Sequence, residues 1–303
     1  MKLIWSYLKS KHRWLLLDCF GGFLFVVVNL GMPTILARMI DEGITQNNPE
    51  RLTFWAIMMF VIVVLGIAGR ISLVYASGKL TTSMIKELRT DIYAKLQTYS
   101  HHEYEQIGVS SLVTRMTSDA FVLMQFAEMS LRIGVVTPMM MIFSVVMILI
   151  TSPSLAWIVA VSMPFLVFVV IYVAMKTRPI STKQQQTLDK INQYVRENLM
   201  GLRVIRAFAR EDFQEERFAQ QNQEYATISS RLFTLTGLTE PLFVQIIIAM
   251  IVAIVWFALD PLAKGSLQIG DLVAFIEYSF HALFSFLIFA NLFTMYPKMA
   301  VSS

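Results

Sequence analysis

Six apolar runs of about 20 residues or more dominate this 303-residue chain. They lie near Trp14–Ile40, Leu52–Ser77, Phe121–Ile150, Ser154–Met175, Leu232–Leu259 and Leu272–Tyr296. A helix of roughly 20 apolar residues crosses the ~30 Å hydrocarbon layer of a bilayer, so each run is long enough to span. The expected fold class is therefore all-α, with six transmembrane helices in a lipid membrane. Charged residues make up 15% of the chain, against roughly 25% in an average soluble domain, and they are concentrated between the runs.

Their placement predicts an orientation. With both termini placed inside, the inner segments hold nineteen basic residues, while the outer connections hold Arg51 and Lys264 alone. Positive charge favours the cytoplasmic side, so both termini are expected to be cytoplasmic and the chain multi-pass. The basic start, Lys2 through Arg13, followed by an apolar run, resembles a signal peptide. Asp18, the length of the run and the lack of a small-x-small cleavage site favour a retained first helix. Leu3–Lys9 mixes aromatics with lysines and is expected to lie along the inner leaflet or to extend span one. Cys19 is the single cysteine, so no intrachain disulfide can form.

The connections divide into three short outer ones and two long inner ones, 78–120 and 176–231. No proline occurs from Glu50 to Thr137 or from Ile180 to Glu240, so helices can continue unbroken out of the membrane. Apolar residues recur at helical spacing in both: Met84, Leu88, Ile92 and Leu96, then Leu188, Ile191, Val195, Leu199, Leu202 and Ile205. Such stripes predict helical stalks packed along them. About 25 residues of helix reach roughly 38 Å at 1.5 Å per residue. Chain reversals are expected near Gln106–Ser111 and Ala207–Phe213. Apolar residues such as Phe208 and Phe213 at a stalk tip either meet a partner surface or close a local corner.

Four motifs carry a family resemblance. Pro33-Thr34-Ile35-Leu36-Ala37-Arg38-Met39-Ile40-Asp41-Glu42-Gly43 closes the first span, and Ser111-Leu112-Val113-Thr114-Arg115-Met116-Thr117-Ser118-Asp119 precedes the third. Arg196 through Glu211 lies in the second inner loop, and Ile269-Gly270-Asp271-Leu272-Val273-Ala274-Phe275 opens the sixth span. In order and spacing the chain resembles, from about Lys2 to its end, the membrane domain of type IV ATP-binding-cassette exporters. It is most similar to subunits of heterodimeric bacterial multidrug exporters; related domains serve peptide, lipid and metabolite export.

The resemblance implies the permease part, residues 1–303, of an exporter in a bacterial cell membrane. It would move hydrophobic or amphipathic small molecules by alternating access, paired with a second homologous half, as a heterodimer. Nucleotide-binding domains, with ATP and Mg, would engage the stalk tips. The coupling elements would be Val109, Ser110, Ser111, Leu112, Val113 and Thr114, and Ala207, Phe208, Ala209, Arg210, Glu211, Asp212 and Phe213. The chain itself shows no phosphate-loop pattern, because the one Gly-Lys pair, Gly78-Lys79, continues with Leu80. It is expected to be a truncated or separate permease part that neither holds a cofactor nor hydrolyses ATP. A secondary transporter or channel, and a membrane-embedded enzyme, fit the long helical loops less well.

Four polar residues within the spans are candidates for a cavity or substrate contact. Arg70 and Arg132 either line a wet path or make structural pairs, Arg132 with Glu128. Glu240, before Pro241, and Glu277 would attract cationic compounds or pair with an arginine. Pro33, Pro138, Pro164, Pro241 and Pro297 suggest kinks or boundaries. The 19 Met and 22 Phe suit adaptable binding, but the same residues face lipid or pack helices in any membrane protein. His101-His102-Glu103 reads as a solvated helix end rather than a metal site. The acidic residues among the basic ones in the inner loops disfavour nucleic acid as a partner.

Overall fold

The computed structural model describes residues 6, 7, 9 and 11–302, with side chains through 289. The described backbone is helical throughout apart from short turns. The elements are α1 (His12–Arg38), α2 (Pro49–Leu96), α3 (His101–Ile107), α4 (Val109–Thr114), α5 (Ala120–Thr151), α6 (Ala156–Met200), α7 (Leu202–Ala207), α8 (Glu211–Gly237), α9 (Thr239–Ala263) and α10 (Ile269–Ser302). Two wider π-helical turns follow α1 (Met39–Ile44) and precede α5 (Arg115–Asp119). Six continuous helical stretches are long and apolar enough to cross a membrane. Most of the expected interfacial segment Leu3–Lys9 lies outside the described residues.

The expected stalks are continuous helix. α2 runs for 48 residues, beginning at an Asn48 cap whose side chain accepts from the Glu50 and Arg51 N–H groups, with Pro49 at the first helical position. α6 runs for 45 residues through Pro164 and Pro179. Pro33 and Pro138 likewise sit inside α1 and α5. Pro241 lies near the start of α9, close to its junction with α8.

The chain divides into two compact units, one of residues 1–157 with 254–303 and one of residues 158–253. In the first, α1 packs along α2, and α10 packs along α5 and α1. Glycines bring α1 and α2 together: a Cβ on Gly21 would lie 2.8 Å from the Leu73 nitrogen, a close approach that small residues permit between membrane helices. Below the apolar span, Leu80, Met84, Ile85 and Leu88 of α2 bury against Ala120, Leu123, Phe126, Ala127 and Leu131 of α5, with Ile92 partly buried beside them. The first predicted stripe is thus the packing face of its stalk.

Polar ties lock the same unit. Asp18, fully buried, accepts the Ser77 hydroxyl across the α1–α2 seam. The Thr34 and Tyr278 hydroxyls hydrogen-bond at 2.7 Å, and Asp41 Oδ1 accepts from the Gly270 N–H at 2.8 Å, joining α1 and its π turn to α10. Glu42 accepts from Trp55 Nε1 at 3.1 Å and lies 3.2 Å from Arg38 and 3.6 Å from Arg51. The N-terminal segment is tied to the stalk by Tyr7, which donates to Asp91 at 2.5 Å, and by Lys11, 2.7 Å from Glu87.

In the second unit, α6 and α8 are zipped by polar and aromatic contacts. Gln184 Nε2 donates to Ser229 Oγ at 2.8 Å, and Tyr194 stacks on Phe218 at 6.5 Å while its hydroxyl donates to the Gln214 side chain. Here the predicted stripe is out of phase. The buried residues of the α6 stalk are Thr187 and Tyr194, whereas Val195 and Leu199 stay exposed, Leu199 to 69%. The seam between α6 and α8 is polar and aromatic, so an apolar periodicity does not mark it.

Candidate functional site

Each of the two long connections, 78–120 and 176–231, folds back through a short helix at its tip. At the first tip, α2 ends at Leu96 and the chain turns through residues 97–100. Ser100 then starts α3 with a capping box: its N–H donates to Glu103 Oε2 at 2.7 Å, and the Glu103 N–H returns to Ser100 Oγ at 3.4 Å. These hydrogen bonds from Ser100 hold the fully exposed Glu103 carboxyl below the usual glutamate range. The Tyr104 hydroxyl donates to the Leu96 carbonyl at 2.8 Å, folding α3 back on the end of α2. Gly108 follows with φ 78° and ψ 133°, a conformation open to glycine and strained for other residues.

From there α4 covers Val109–Thr114, with Leu112 buried and Val109 and Val113 exposed to 65% and 53%. The reversal expected near Gln106–Ser111 therefore takes two steps, residues 97–100 and Gly108, because the Ser100 cap inserts a helix between them. A cavity of about 890 Å³ lies behind α4, lined among others by Tyr7, Asp91, Lys95, Leu112 and Arg115.

The second tip is sharper. Gly201 interrupts α6, α7 spans Leu202–Ala207, and Phe208, Ala209 and Arg210 make the turn. The Arg210 N–H donates to the Ile205 carbonyl at 3.0 Å, while Ala209 takes a left-handed φ of 47°. Glu211 and Asp212 open α8, where carboxylates complement the positive end of the helix. Ala207–Phe213 therefore comprises the last residue of α7, a three-residue turn and the first turn of α8. Phe208 is 74% exposed; the Phe213 ring lies beneath the Arg210 guanidinium, 5.9 Å away. Phe213 thus has one local contact while staying 52% exposed, and Phe208 is uncovered.

Each of the four candidate polar residues of the spans has its own local surroundings. Arg70 sits over the Phe25 ring at 5.0 Å, and Arg132 lies 3.8 Å from Glu128, one turn away on α5. Glu240 is in the first turn of α9 and Glu277 is exposed on α10. Among the described residues, no group of three or more metal-ligating side chains occurs. His101 instead lies 3.4 Å from Glu105, and His102 contacts Gln106 at 3.1 Å. Sequence reasoning missed the Asp18–Ser77 and Asp41–Gly270 contacts, whose partners lie 59 and 229 residues apart.

The chain matches a known protein family, the ABC transporter transmembrane region, over residues 15–287. The chain belongs to that family. An uncharacterized ABC transporter ATP-binding protein of Mycobacterium tuberculosis is 26% identical over 275 residues, covering 91% of this chain and 47% of the relative. The uncharacterized ABC transporter ATP-binding protein YfiB of Bacillus subtilis is 27% identical, covering 84% and 44%. An ATP-dependent lipid A-core flippase of Acinetobacter baylyi is 24% identical, covering 89% and 47%. The chain spans about half the length of these bacterial relatives. As an ABC membrane region with six spans it is a multi-pass membrane protein.

Proposed function

We propose that this chain is the solute-translocating part of an ATP-driven exporter of hydrophobic or amphipathic compounds, with both termini in the cytoplasm. The observation that carries the reading is the pair of stalk tips. α4 and the Ala207–Phe213 turn present Val109, Val113 and Phe208 to solvent at the ends of continuous helices. α6 alone extends from Lys176 to Met200, about 38 Å at helical rise. An exposed phenylalanine so far from lipid calls for a protein surface, and rigid helix behind it carries a displacement back to the spans. The surfaces that fit are ATP-binding domains, which supply ATP and Mg, in keeping with relatives named as ATP-binding proteins.

The exposed stripe of Val195, Leu199 and Leu202 on the second stalk fits a second half-transporter, identical or related, with a heterodimer preferred. Residues Val109–Thr114 and Ala207–Phe213 are the coupling elements, and the solute is carried between states open to either side. The relative named as a lipid A-core flippase favours a lipid as the second choice of cargo.

The test is Phe208→Ala in the complete reconstituted transporter. The amount of compound moved per ATP hydrolysed should fall by about an order of magnitude, the size of effect seen when an interface anchor worth over 1 kcal/mol is truncated, while the protein stays folded. An unchanged transport-to-hydrolysis ratio overturns the coupling role.

A further inference from the structure

Most acidic residues within or bordering the spans have a partner. Asp18 accepts the Ser77 hydroxyl, Asp41 accepts the Gly270 N–H, Glu42 lies between Arg38 and Arg51, Glu128 lies beside Arg132 and Asp260 lies 2.6 Å from Lys264. Asp271 sits in the first turn of α10, where the helix's own N–H groups offset its charge, while Glu240 has no cation within 4.0 Å among the described residues. Glu277 has no such partner either, and a stacked aromatic pair stands on its face of α10. No cation lies within 4.0 Å of it among the described residues, and it is exposed. It lies eight residues into α10, which begins at Ile269, so it sits about 12 Å along a membrane-crossing helix. A carboxylate at that depth needs a wet cavity or a cation.

Its neighbours narrow the chemistry. α10 buries Ala274, Phe275, Tyr278, Ser279, Ala282 and Leu283. By helical geometry Glu277, Phe280, His281 and Phe284 lie on the opposite face. There Phe280 and Phe284 stack at 5.5 Å with 12° between planes, and His281 meets Phe280 edge-on at 5.9 Å. Phe284 is 40% exposed. One carboxylate beside a stacked aromatic pair offers a point charge and π faces, the combination that attracts an organic cation. The same face repels a phosphate headgroup, and the arginines of the spans are held elsewhere, Arg70 over Phe25 and Arg132 by Glu128.

We infer that the Glu277–Phe280–His281–Phe284 face of α10 is the subsite for the charged end of an organic cation with a hydrophobic body. This rests on the export reading above and names the substrate class for it.

The test uses the complete transporter and two probes of similar shape, methyltriphenylphosphonium and neutral triphenylphosphine oxide. Their dissociation constants are measured by equilibrium dialysis, and each probe's stimulation of ATP hydrolysis is followed in parallel. Glu277→Gln should shift the ratio of the two constants about 10-fold toward the neutral probe, the loss of one charge-assisted contact. Glu277→Asp should retain most of the discrimination, and Phe284→Leu should weaken the cation several-fold, with recovery in Phe284→Trp. A ratio unchanged by Glu277→Gln overturns the subsite, including the case in which Glu277 meets a basic residue of a second half-transporter. A wild-type protein that exports neutral or lipid compounds but binds no phosphonium also overturns it and leaves the export reading standing. ATP hydrolysis with no amphipathic compound moved defeats both.

Discussion

At the scale of single residues, the seam between α1 and α10 depends on one missing side chain. A Cβ on Gly270 would lie 2.2 Å from the Ala37 carbonyl oxygen and 2.4 Å from Asp41 Oδ2. Gly270→Ala must push the helices apart and break the N–H bond to Asp41. Overpacking of this kind costs roughly 1–3 kcal/mol, and thermal unfolding in detergent should show it. Gly134→Ala is the control, since nothing lies within 4 Å of its Cβ position; equal effects of the two changes contradict the packing. Tyr7 makes a second residue-level prediction. The hydrogen bond to Asp91 foremost, then burial and the charges of Asp91 and Glu87, push its hydroxyl up to about 12. The folded state thus favours the protonated phenol. Its stabilisation is complete below the ordinary tyrosine range near 10 and is lost as pH rises through about 12. Phenolate absorbance compared between wild type and Tyr7→Phe should place the difference there, and Asp91→Asn should return it toward the ordinary value. Neither contact was legible in the sequence. Asp18, Asp41 and Tyr7 each find their partner at long sequence separation, and no local spacing encodes such a pairing.

At the scale of elements, the stalks were legible because length and the lack of proline speak directly to helix continuity. α2 follows its Met84–Leu88–Ile92 stripe, since two apolar helices bury it. The stripe on α6 misled in phase: Tyr194 and Thr187 pack, and Val195 and Leu199 do not. The tips were legible as reversals but not in detail, because the Ser100–Glu103 cap adds α3 and Gly201 detaches α7. The second tip also holds a removable strain. Ala209 has a φ of 47°, a conformation that costs an L-residue roughly 1–2 kcal/mol and glycine little. Ala209→Gly should therefore stabilise the turn, by at most about 1 kcal/mol once glycine's greater freedom in the unfolded chain is counted. Amide exchange in residues 201–213 should slow; faster exchange would mean the turn is held by something other than this local geometry.

At the scale of the whole molecule, hydrophobicity alone identifies six membrane-crossing helices, and the match over residues 15–287 shows the family. The division into two units, with residues 158–253 forming a body of their own, was not expected from the sequence. Every span is similarly apolar, so the pattern of hydrophobicity carries no sign of it. Candidate substrate residues were the least legible: of four polar positions, two arginines have local partners and Glu277 stands exposed on a face of mixed acid and aromatic character. The central claim is that ATP hydrolysis, delivered through the stalk tips, drives solute movement. Its most direct measurement is accumulation of a fluorescent amphipathic compound in proteoliposomes holding the complete transporter. Accumulation should require ATP, stop with a non-hydrolysable analogue and persist when ion gradients are collapsed; accumulation driven by an ion gradient without ATP would contradict the account.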